Sequence, residues 1–183
     1  MTTISPDLSR IDGVRLSLQL VSRADAAYIH ALRTDPAYNE HLSVVTGTVD
    51  DQLRWIERYK EREAKGLEYY YRIERRDGMP CGVVRIYEIG PDHYTWGSWI
   101  LDHNKPAKAA VESAVLSFGI GFETLGLKEA RLEARNSNTH AIAFYRRFGM
   151  EESGSDRENT YFVYTRARFR SDLAGHRRTI ETA

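Results

Sequence analysis

The amino-acid sequence predicts a single α/β (α+β) domain, built on a mixed, mostly antiparallel sheet with helices on its faces. The chain of 183 residues is long enough for one hydrophobic core and short for two. Segments with the periodicity of strands alternate with segments that have the periodicity of helices. The pair Asp77-Gly78, between two aromatic segments, is typical of a β-hairpin turn. Together these patterns indicate a layered α/β plan.

The first third of the chain is predicted to contain one strand and two helices. Residues 1–12 read as a loose lead, and residues 14–20 alternate apolar and polar side chains as a half-buried strand does. A helix is expected over residues 22–33, where a serine N-cap precedes an apolar stripe. A loop over residues 41–48 then leads to a second helix that extends to about residue 66.

Three consecutive strands are predicted in the middle of the chain, over residues 68–75, 81–89 and 93–101. The first two are rich in aromatic and β-branched residues and flank the Asp77-Gly78 turn. We therefore expect them to pair as an antiparallel hairpin, with the third strand continuing the sheet.

The last third is predicted to alternate helix and strand twice. These elements cover residues 106–125 (helix), 130–135 (strand), 138–149 (helix) and 161–168 (strand). The tail over residues 170–183 is polar and basic, and we expect it to be frayed because it has little apolar surface to bury. The folded domain is therefore predicted over residues 13–169.

Charge and cysteine content restrict the class of protein. Lys plus Arg and Asp plus Glu number 26 each, so no net charge draws the chain to nucleic acid or to an anionic membrane. Cys81 is the only cysteine, which excludes an internal disulfide and a multi-cysteine zinc site and suits a reducing compartment. No apolar run resembles a signal peptide or a spanning helix. We expect a soluble cytoplasmic protein, monomeric or homodimeric, without a metal.

The most informative segment is residues 138–150, which reads NTHAIAFYRRFGM. Asn138 is a suitable helix N-cap, and Gly149 suits the left-handed residue that ends a helix. Apolar residues recur between them at helical spacing, so one face of the helix is predicted to be buried. On spacing alone, Tyr145 is a core aromatic residue of that face.

This segment resembles the closing motif of the GCN5-related N-acetyltransferases (GNAT), N-x-x-A-x-x-F/L-Y-x-x-x-G-F. The matching residues are, in order, Asn138, Ala141, Phe144, Tyr145 and Gly149, with Met150 in place of the final Phe. The resemblance extends over about residues 14–169, since the predicted element order also agrees. It implies that Tyr145 lies beside the sulfur of acetyl-coenzyme A and returns a proton to the departing thiolate, and that Asn138 and Ala141 contact the cofactor.

The resemblance also implies a site for the coenzyme A pyrophosphate at the start of the long helix, where the family has Q/R-x-x-G-x-G/A. This chain reads Asn-Lys-Pro-Ala-Lys-Ala there, with alanine at both glycine positions. Alanine does not readily adopt a positive φ, so the loop is expected either to keep ordinary helical angles or to bind the phosphates less closely. The alternative is a plain helix start. The implied contacts are Asn104, Lys105, Ala107, Lys108 and Ala109.

The strand before this loop is implied to pair with the pantetheine arm through Trp99, Ile100 and Leu101. The family places a bulge there, which leaves an amide N–H free for the acetyl oxygen, and Ile100 is the predicted donor. Trp96 and Trp99 fit two interpretations equally well, a packed strand or the lining of the acceptor pocket.

A direct-attack acetyltransferase needs a group that takes a proton from its acceptor, because an amine with a pKa of about 10 is protonated at neutral pH. The commoner family position for a glutamate corresponds here to Thr95, which cannot act as a base. In the ribosomal-protein branch and in some amino-sugar enzymes, the glutamate lies on the strand before the tyrosine helix, where this chain has Glu133. A solvated or arginine-paired carboxylate is the alternative for Glu133. His93 or water is the other base considered, with His41 and Glu88 as weaker candidates.

The acceptor is predicted to lie against the first two helices and their loop. The segments around Arg33, His41 and Trp55 resemble the front end of acetyltransferases that act on nucleotide-linked amino sugars, although similar patterns occur in the ribosomal-protein and antibiotic branches. We therefore assign Arg33, His41, Trp55 and Trp96 to the acceptor site, with a plain helix surface and an aromatic strand as the alternative.

The resemblance thus implies an N-acetyltransferase that moves an acetyl group from acetyl-coenzyme A to a primary amine by direct attack. The acceptor is predicted to be a nucleotide-linked amino sugar or another small amine. Two alternatives stay open. One is an acetyltransferase of protein N-termini of the ribosomal-protein type. The other is a noncatalytic acyl-coenzyme A-binding module, which the altered phosphate loop permits and Tyr145 with Glu133 opposes.

Overall fold

Eight strands form one sheet in the computed structural model, which describes residues 7–182. The strands are β1 (Arg10–Asp12), β2 (Leu16–Leu20), β3 (Tyr69–Arg75), β4 (Pro80–Tyr87), β5 (His93–Leu101), β6 (Glu129–Arg135), β7 (Glu151–Ser155) and β8 (Asn159–Thr165). The helices are α1 (Ala26–Thr34), α2 (Pro36–Asn39), α3 (Val49–Ala64), α4 (Ala109–Gly119), α5 (Thr139–Phe148) and α6 (Arg166–Glu181). The strand order is β1-β2-β3-β4-β5-β6-β8-β7, and β5 with β6 is the parallel pair. The predicted fold class, mixed and mostly antiparallel, is confirmed.

Hydrophobic residues pack on both faces of the sheet because side chains alternate along each strand. The larger core includes Tyr71 and Val84 and packs under α4, α5 and α6. The smaller core includes Tyr70 and Val83 and packs under α1 and α3. Neighbouring residues of one strand therefore belong to different cores, and both layers of helices are held by the same sheet.

The parallel pair of strands separates along its length. β5 and β6 pair only from His93 to Thr95 and from Glu129 to Arg131. Beyond these residues β5 remains paired with β4, and β6 with β8. The two strands therefore diverge, which opens a cleft in the middle of the sheet.

The predicted C-terminal tail is wrong, because residues 166–181 form the regular helix α6. The side chain of Thr165 caps this helix by accepting from the amide of Arg168, and the same residue ends β8. Phe169 and Ile180 are buried, at 2% and 4% exposure, so the two ends of the helix are anchored in the domain. Widely spaced apolar residues are a weak sequence signal, yet each buries enough surface to hold a helix down.

Two short strands were also missed. β1 lies within the predicted loose lead, of which residues 1–6 fall outside the described part of the chain. β7 has the sequence EESGS and is fully exposed, so it carries no hydrophobic alternation to predict. Both are outer strands, held by backbone pairing to one neighbour.

The long helix begins later than predicted, at Ala109, because Lys108 adopts a left-handed conformation with φ 63°. Its α-helical part ends at Gly119 and a π-helical turn, Ile120–Thr124, follows. A Cβ on Gly121 would approach the ring of Tyr94 to 2.2 Å, so close packing requires glycine there. Among the described residues, no helix combines the length and apolar character needed to cross a membrane.

Candidate active site

The cleft between the diverging ends of β5 and β6 contains a cavity of about 270 Å³, here called the reaction cleft. Most of the side chains predicted for catalysis and for the acceptor line it. These are Arg33, His41, Trp96, Trp99, Glu133, Asn138, Ala141 and Tyr145. The divergence of two strands, and not a loop, therefore brings them together.

Tyr145 reaches this cleft from α5. The helix starts where the side chain of Asn138 accepts from the amide of Ala141 at 3.1 Å, and it ends at Gly149, which has φ 107°. The Tyr145 ring packs edge-on against Trp96 and Phe162 and is 6% exposed. Burial raises the pKa of the Tyr145 hydroxyl far above its usual range. The hydroxyl therefore stays protonated at neutral pH, and its role as the acid that protonates the thiolate stays a prediction.

A bulge interrupts β5 on the wall of the cleft. Val83 pairs with Ile100 and Arg85 with Gly97, so two residues of β5 oppose a single residue of β4. Ser98, the first of these two residues of β5, has a positive φ of 48°. The bulge that the resemblance implied is present at this strand. Which amide faces the acetyl oxygen stays a prediction, with Ile100 as its named donor.

The bulge also explains how two tryptophans face the same helix. Residues three apart in a regular strand point to opposite faces. Here the indole N–H groups of Trp96 and Trp99 donate to Ser117 at 2.8 Å and Ser113 at 3.1 Å, both on α4. Trp96 is 1% exposed and its only polar atom is bonded, which favours its interpretation as a packed strand residue.

Glu133 lies on the exposed face of β6 and lines the cleft. Within residues 7–182 its carboxylate has no hydrogen bond or ion pair, because the neighbouring arginines are bonded elsewhere. Arg131 pairs with Glu129 at 2.8 Å and Arg135 pairs with Glu158 at 2.9 Å. The arginine-paired alternative is therefore wrong, whereas the solvated alternative agrees with the exposed position of Glu133. The role of Glu133 as the base stays a prediction.

Of the two histidines considered as bases, His41 lines the cleft and His93 does not. The Nδ1 atom of His41 lies 3.3 Å from the hydroxyl of Ser137, just before α5. His93 begins β5, where that strand is still paired with β6. Thr95 also lines the cleft, and its hydroxyl donates to Glu88 at 2.6 Å.

The predicted phosphate loop lies at the start of α4, outside both cavities. Lys108, between the two alanines at the glycine positions, takes the left-handed conformation, and both alanines keep ordinary angles. Asp102 holds the loop in place, since it accepts from the amide of Asn104 at 2.7 Å and from the hydroxyl of Tyr28 at 2.8 Å. Lys105 and Lys108 are exposed at this helix start, where unpaired amides and a positive dipole end favour phosphate.

A second cavity of about 480 Å³, here called the acceptor pocket, adjoins the reaction cleft. It lies among α1, α3, the loop before α3, and strands β3 and β4. Four residues line both cavities, namely Arg33, Ser43, Tyr87 and Ser98. The two cavities are therefore parts of one continuous site.

The acceptor pocket is cationic. Its charged lining residues are three arginines, Arg33, Arg58 and Arg85, and one acid, Asp51. The amide of Thr48, with its hydroxyl and Arg54, lowers the pKa of Asp51 to about 2, so this carboxylate remains ionised. The excess of arginine favours an anionic group in the pocket.

Trp55 lines this pocket, as predicted, but several groups already contact its ring. It stacks on Tyr59 with a centroid distance of 5.8 Å, and the guanidinium groups of Arg62 and Arg85 lie 5.6 and 5.2 Å from the ring centroid. Both arginines are bonded to the buried carboxylate of Glu68. Trp55 therefore orders the pocket wall through packing.

Several lining residues were not identified from the sequence, among them Arg58, Arg85, Tyr87 and Ser98. Their local patterns are those of an ordinary aromatic strand and of a solvated helix. The predicted hairpin could have indicated Arg85 as a lining residue, because Tyr70 and Arg85 lie opposite each other on β3 and β4.

The only cysteine takes no part in either cavity. Burial, with a smaller contribution from Asp102, raises the pKa of the Cys81 thiol to about 12. The thiolate is the nucleophilic form, so Cys81 is unsuited to carry an acyl group. The geometry is consistent with direct attack by the acceptor.

Comparisons with known proteins agree with this arrangement. A model of the acetyltransferase (GNAT) domain matches residues 15–151. The solved structure of apo FdhC, described as a nucleotide-linked sugar GNAT, is 35% identical with a TM-score of 0.86, covering 93% of this chain and 97% of that chain. No curated protein matches the chain.

Two more distant structures share the fold. Spermidine N-acetyltransferase from Vibrio cholerae, in complex with CoA and spermine, is 17% identical with a TM-score of 0.73, covering 85% of this chain and 98% of that chain. A protein from Vibrio cholerae assigned as a ribosomal-protein-serine acetyltransferase is 18% identical with a TM-score of 0.73, covering 88% and 99%.

Proposed function

Because the chain belongs to the acetyltransferase (GNAT) family, we propose that it transfers the acetyl group of acetyl-coenzyme A to the primary amine of a nucleotide-linked amino sugar. Membership confirms the resemblance in the sequence and makes the protein an acyl-coenzyme A-dependent N-acetyltransferase. One observation carries the finer proposal. The reaction cleft, with Tyr145 and Glu133, opens directly into a pocket lined by three arginines.

In the proposed reaction, residues of this chain bind the cofactor, accept and donate the protons, and stabilise the developing charge. Acetyl-coenzyme A supplies the thioester, held by residues 99–101 and 104–109 together with Asn138 and Ala141. Glu133 takes a proton from the ammonium group of the acceptor, directly or through a water, so that the neutral amine attacks the acetyl carbonyl. An amide N–H at the β5 bulge stabilises the negative charge that develops on the carbonyl oxygen. As the thioester C–S bond breaks, Tyr145 gives its proton to the departing thiolate, and the proton lost by the acetylated nitrogen restores the Tyr145 hydroxyl.

Charge decides among the acceptors of the similar proteins. Spermidine is a polycation, and three arginines against one aspartate in the acceptor pocket would repel it. A nucleotide-linked sugar carries phosphate groups, which arginine binds well. The similarity to a nucleotide-linked sugar GNAT supports the same choice. We place the protein in the cytoplasm because its single cysteine is a buried free thiol. We also propose that it is a monomer or a homodimer.

The test is an assay of coenzyme A release by the purified protein, with acetyl-coenzyme A and one amine at a time. A panel of nucleotide-linked amino sugars, spermidine and a ribosomal-protein N-terminal peptide separates the acceptor classes, and mass spectrometry identifies the acetylated product. We expect turnover with an amino sugar linked to a nucleotide and little with spermidine. Turnover with spermidine or the peptide alone would contradict the proposed acceptor, and a melting shift without any turnover would indicate a binding module.

A further inference from the structure

We propose that Tyr70 and Arg33 form a phosphate-binding subsite in the acceptor pocket. The inference rests on the proposed function, since it assigns residues to the nucleotide part of the same acceptor. It depends on two buried polar atoms with no hydrogen-bond partner within residues 7–182, the hydroxyl of Tyr70 and the Nε atom of Arg33. Both residues line the acceptor pocket.

Such atoms are uncommon because a buried donor normally finds a partner, and its absence is costly. Tyr70 is 2% exposed, and its ring is fixed edge-on against Trp55 and Tyr59. The hydroxyl cannot turn to bulk water without moving that aromatic cluster. A ligand in the pocket would supply the missing partner.

Arg33 is also held in place. Its Nη2 atom donates to the carbonyl of Ser43 at 3.2 Å and to the hydroxyl of Ser43 at 2.8 Å. These bonds anchor the guanidinium between the loop before α3 and the sheet, and they leave Nε for another acceptor. Arg33 lines the reaction cleft as well, so a group bound to it lies at the junction of the two cavities.

The chemistry of the two groups indicates an anionic oxygen acceptor. Burial raises the pKa of Tyr70, whereas the adjacent Arg33 guanidinium acts in the opposite direction through its charge and through a contact with the hydroxyl, so the hydroxyl remains a donor. Arginine offers only donors. A phosphate has several acceptor oxygens and can take both bonds at once.

The rest of the pocket supports a phosphate. Arg58 makes no ion pair within the described part of the chain and adds positive charge, whereas Arg85 shares the carboxylate of Glu68 with Arg62. Asp51 is the one lining carboxylate, and it is bonded to Thr48 and Arg54. The cavity of about 480 Å³ has room for more than a single sugar ring.

Isothermal titration with a nucleoside diphosphate tests the subsite. The titration is carried out on the full chain with coenzyme A at saturation, so that the cofactor's own pyrophosphate site is already filled. Tyr70→Phe removes only the hydroxyl, and Arg33→Lys keeps the charge but loses the Nε donor. Tyr94→Phe is the matched control, because the Tyr94 hydroxyl is also buried and unpartnered but lines neither cavity.

We expect Tyr70→Phe and Arg33→Lys each to weaken diphosphate binding about tenfold or more, and Tyr94→Phe to leave it unchanged. The uncharged nucleoside should bind weakly and equally to all four proteins. With the amino sugar as acceptor, Tyr70→Phe should raise KM and preserve kcat.

Three results would overturn the proposal. The first is equal diphosphate affinity in the parent and Tyr70→Phe, which would mean that Tyr70 and Arg33 bond only to each other. The second is an equal loss with nucleoside and diphosphate, which would place the base or ribose there. The third is no diphosphate binding by the parent. A protein that binds the diphosphate but acetylates no nucleotide-linked amine would instead refute the proposed function and keep the subsite.

Discussion

The reaction cleft and the acceptor pocket adjoin each other, yet the chain builds them in different ways. The cleft takes its chemical groups from neighbouring segments, with Glu133 on β6 and Tyr145 on the next helix. The acceptor pocket gathers side chains from α1, the loop before α3, α3 itself, β3 and β4. The cleft presents an unpaired carboxylate, whereas the pocket presents an excess of arginine. The residues proposed for acetyl transfer therefore lie close together in the sequence, whereas the residues proposed to bind the acceptor are brought together by long-range packing.

The largest expected effect is in the cleft, from Tyr145→Phe. Removal of the hydroxyl should lower kcat on the order of 10²–10⁴-fold, the usual contribution of general acid catalysis, and preserve the fold and the affinity for acetyl-coenzyme A. Steady-state kinetics and a thermal melt with the cofactor provide the measurements. Tyr164→Phe is the control, since that hydroxyl bonds to Asp172 in the core of the same helical layer. A parental rate in the Phe variant would reduce Tyr145 to core packing.

The next effect concerns the proton at the acceptor amine. Glu133→Gln should depress kcat/KM by about 10²-fold at neutral pH and recover partly at high pH, because the amine is then already deprotonated. A pH–rate profile is the measurement. Glu158→Gln serves as the control, because Glu158 lines the same cleft but is paired with Arg135.

Two other profiles would change the assignment of Glu133. A curve that coincides with that of the parent at every pH would point to His41, which lines the same cleft, or to solvent as the base. A uniform loss would mean that Glu133 orients the acceptor, since loss of an orienting group reduces the rate without changing which proton must leave.

A smaller effect is expected at the phosphate loop, where a pair of variants separates charge from backbone strain. Lys108→Gly and Lys108→Ala both remove the cation, and only glycine fits φ 63° without strain. We expect Lys108→Gly to exceed Lys108→Ala in free energy of unfolding by about 1 kcal/mol. Both should bind acetyl-coenzyme A several-fold more weakly. Greater stability of the alanine variant would contradict the left-handed conformation.

The smallest expected effect is a pH dependence of the free energy of unfolding. It arises from His176, which packs against α5, the helix that carries Tyr145. The ring of His176 on α6 stacks on Phe148 of α5 at 4.0 Å, and burial lowers the pKa of this histidine below 6.5, with Asp172 acting in the opposite direction. The unfolded chain therefore binds more protons as the pH falls through this range, so the stability present above pH 6.5 declines. Urea titrations at several pH values should show the decline in the parent, and His176→Gln should reduce it. His140→Gln, at an exposed residue, should leave the pH profile unchanged.

Much of the architecture follows from short-range patterns. The Asp77-Gly78 turn, the Asn138 and Thr48 caps, and the apolar stripes of α3 and α5 are each determined within a few residues, and all are present. The predictions were wrong where the signal was sparse, as in α6, where a few apolar residues such as Phe169 and Ile180 hold a polar helix.

The site divides in the same way. The sequence alone determined the α5 motif with Tyr145 and the position of Glu133 on its strand, because each is a matter of spacing along the chain. Only the tertiary structure decided that β5 and β6 diverge after three paired residues and that the Ser98 bulge turns two tryptophans to one face. It also decided that Tyr70 and Arg33 line one pocket, each with a polar atom that has no hydrogen-bond partner within residues 7–182. These features depend on contacts between segments far apart in sequence, where packing and register override any local preference.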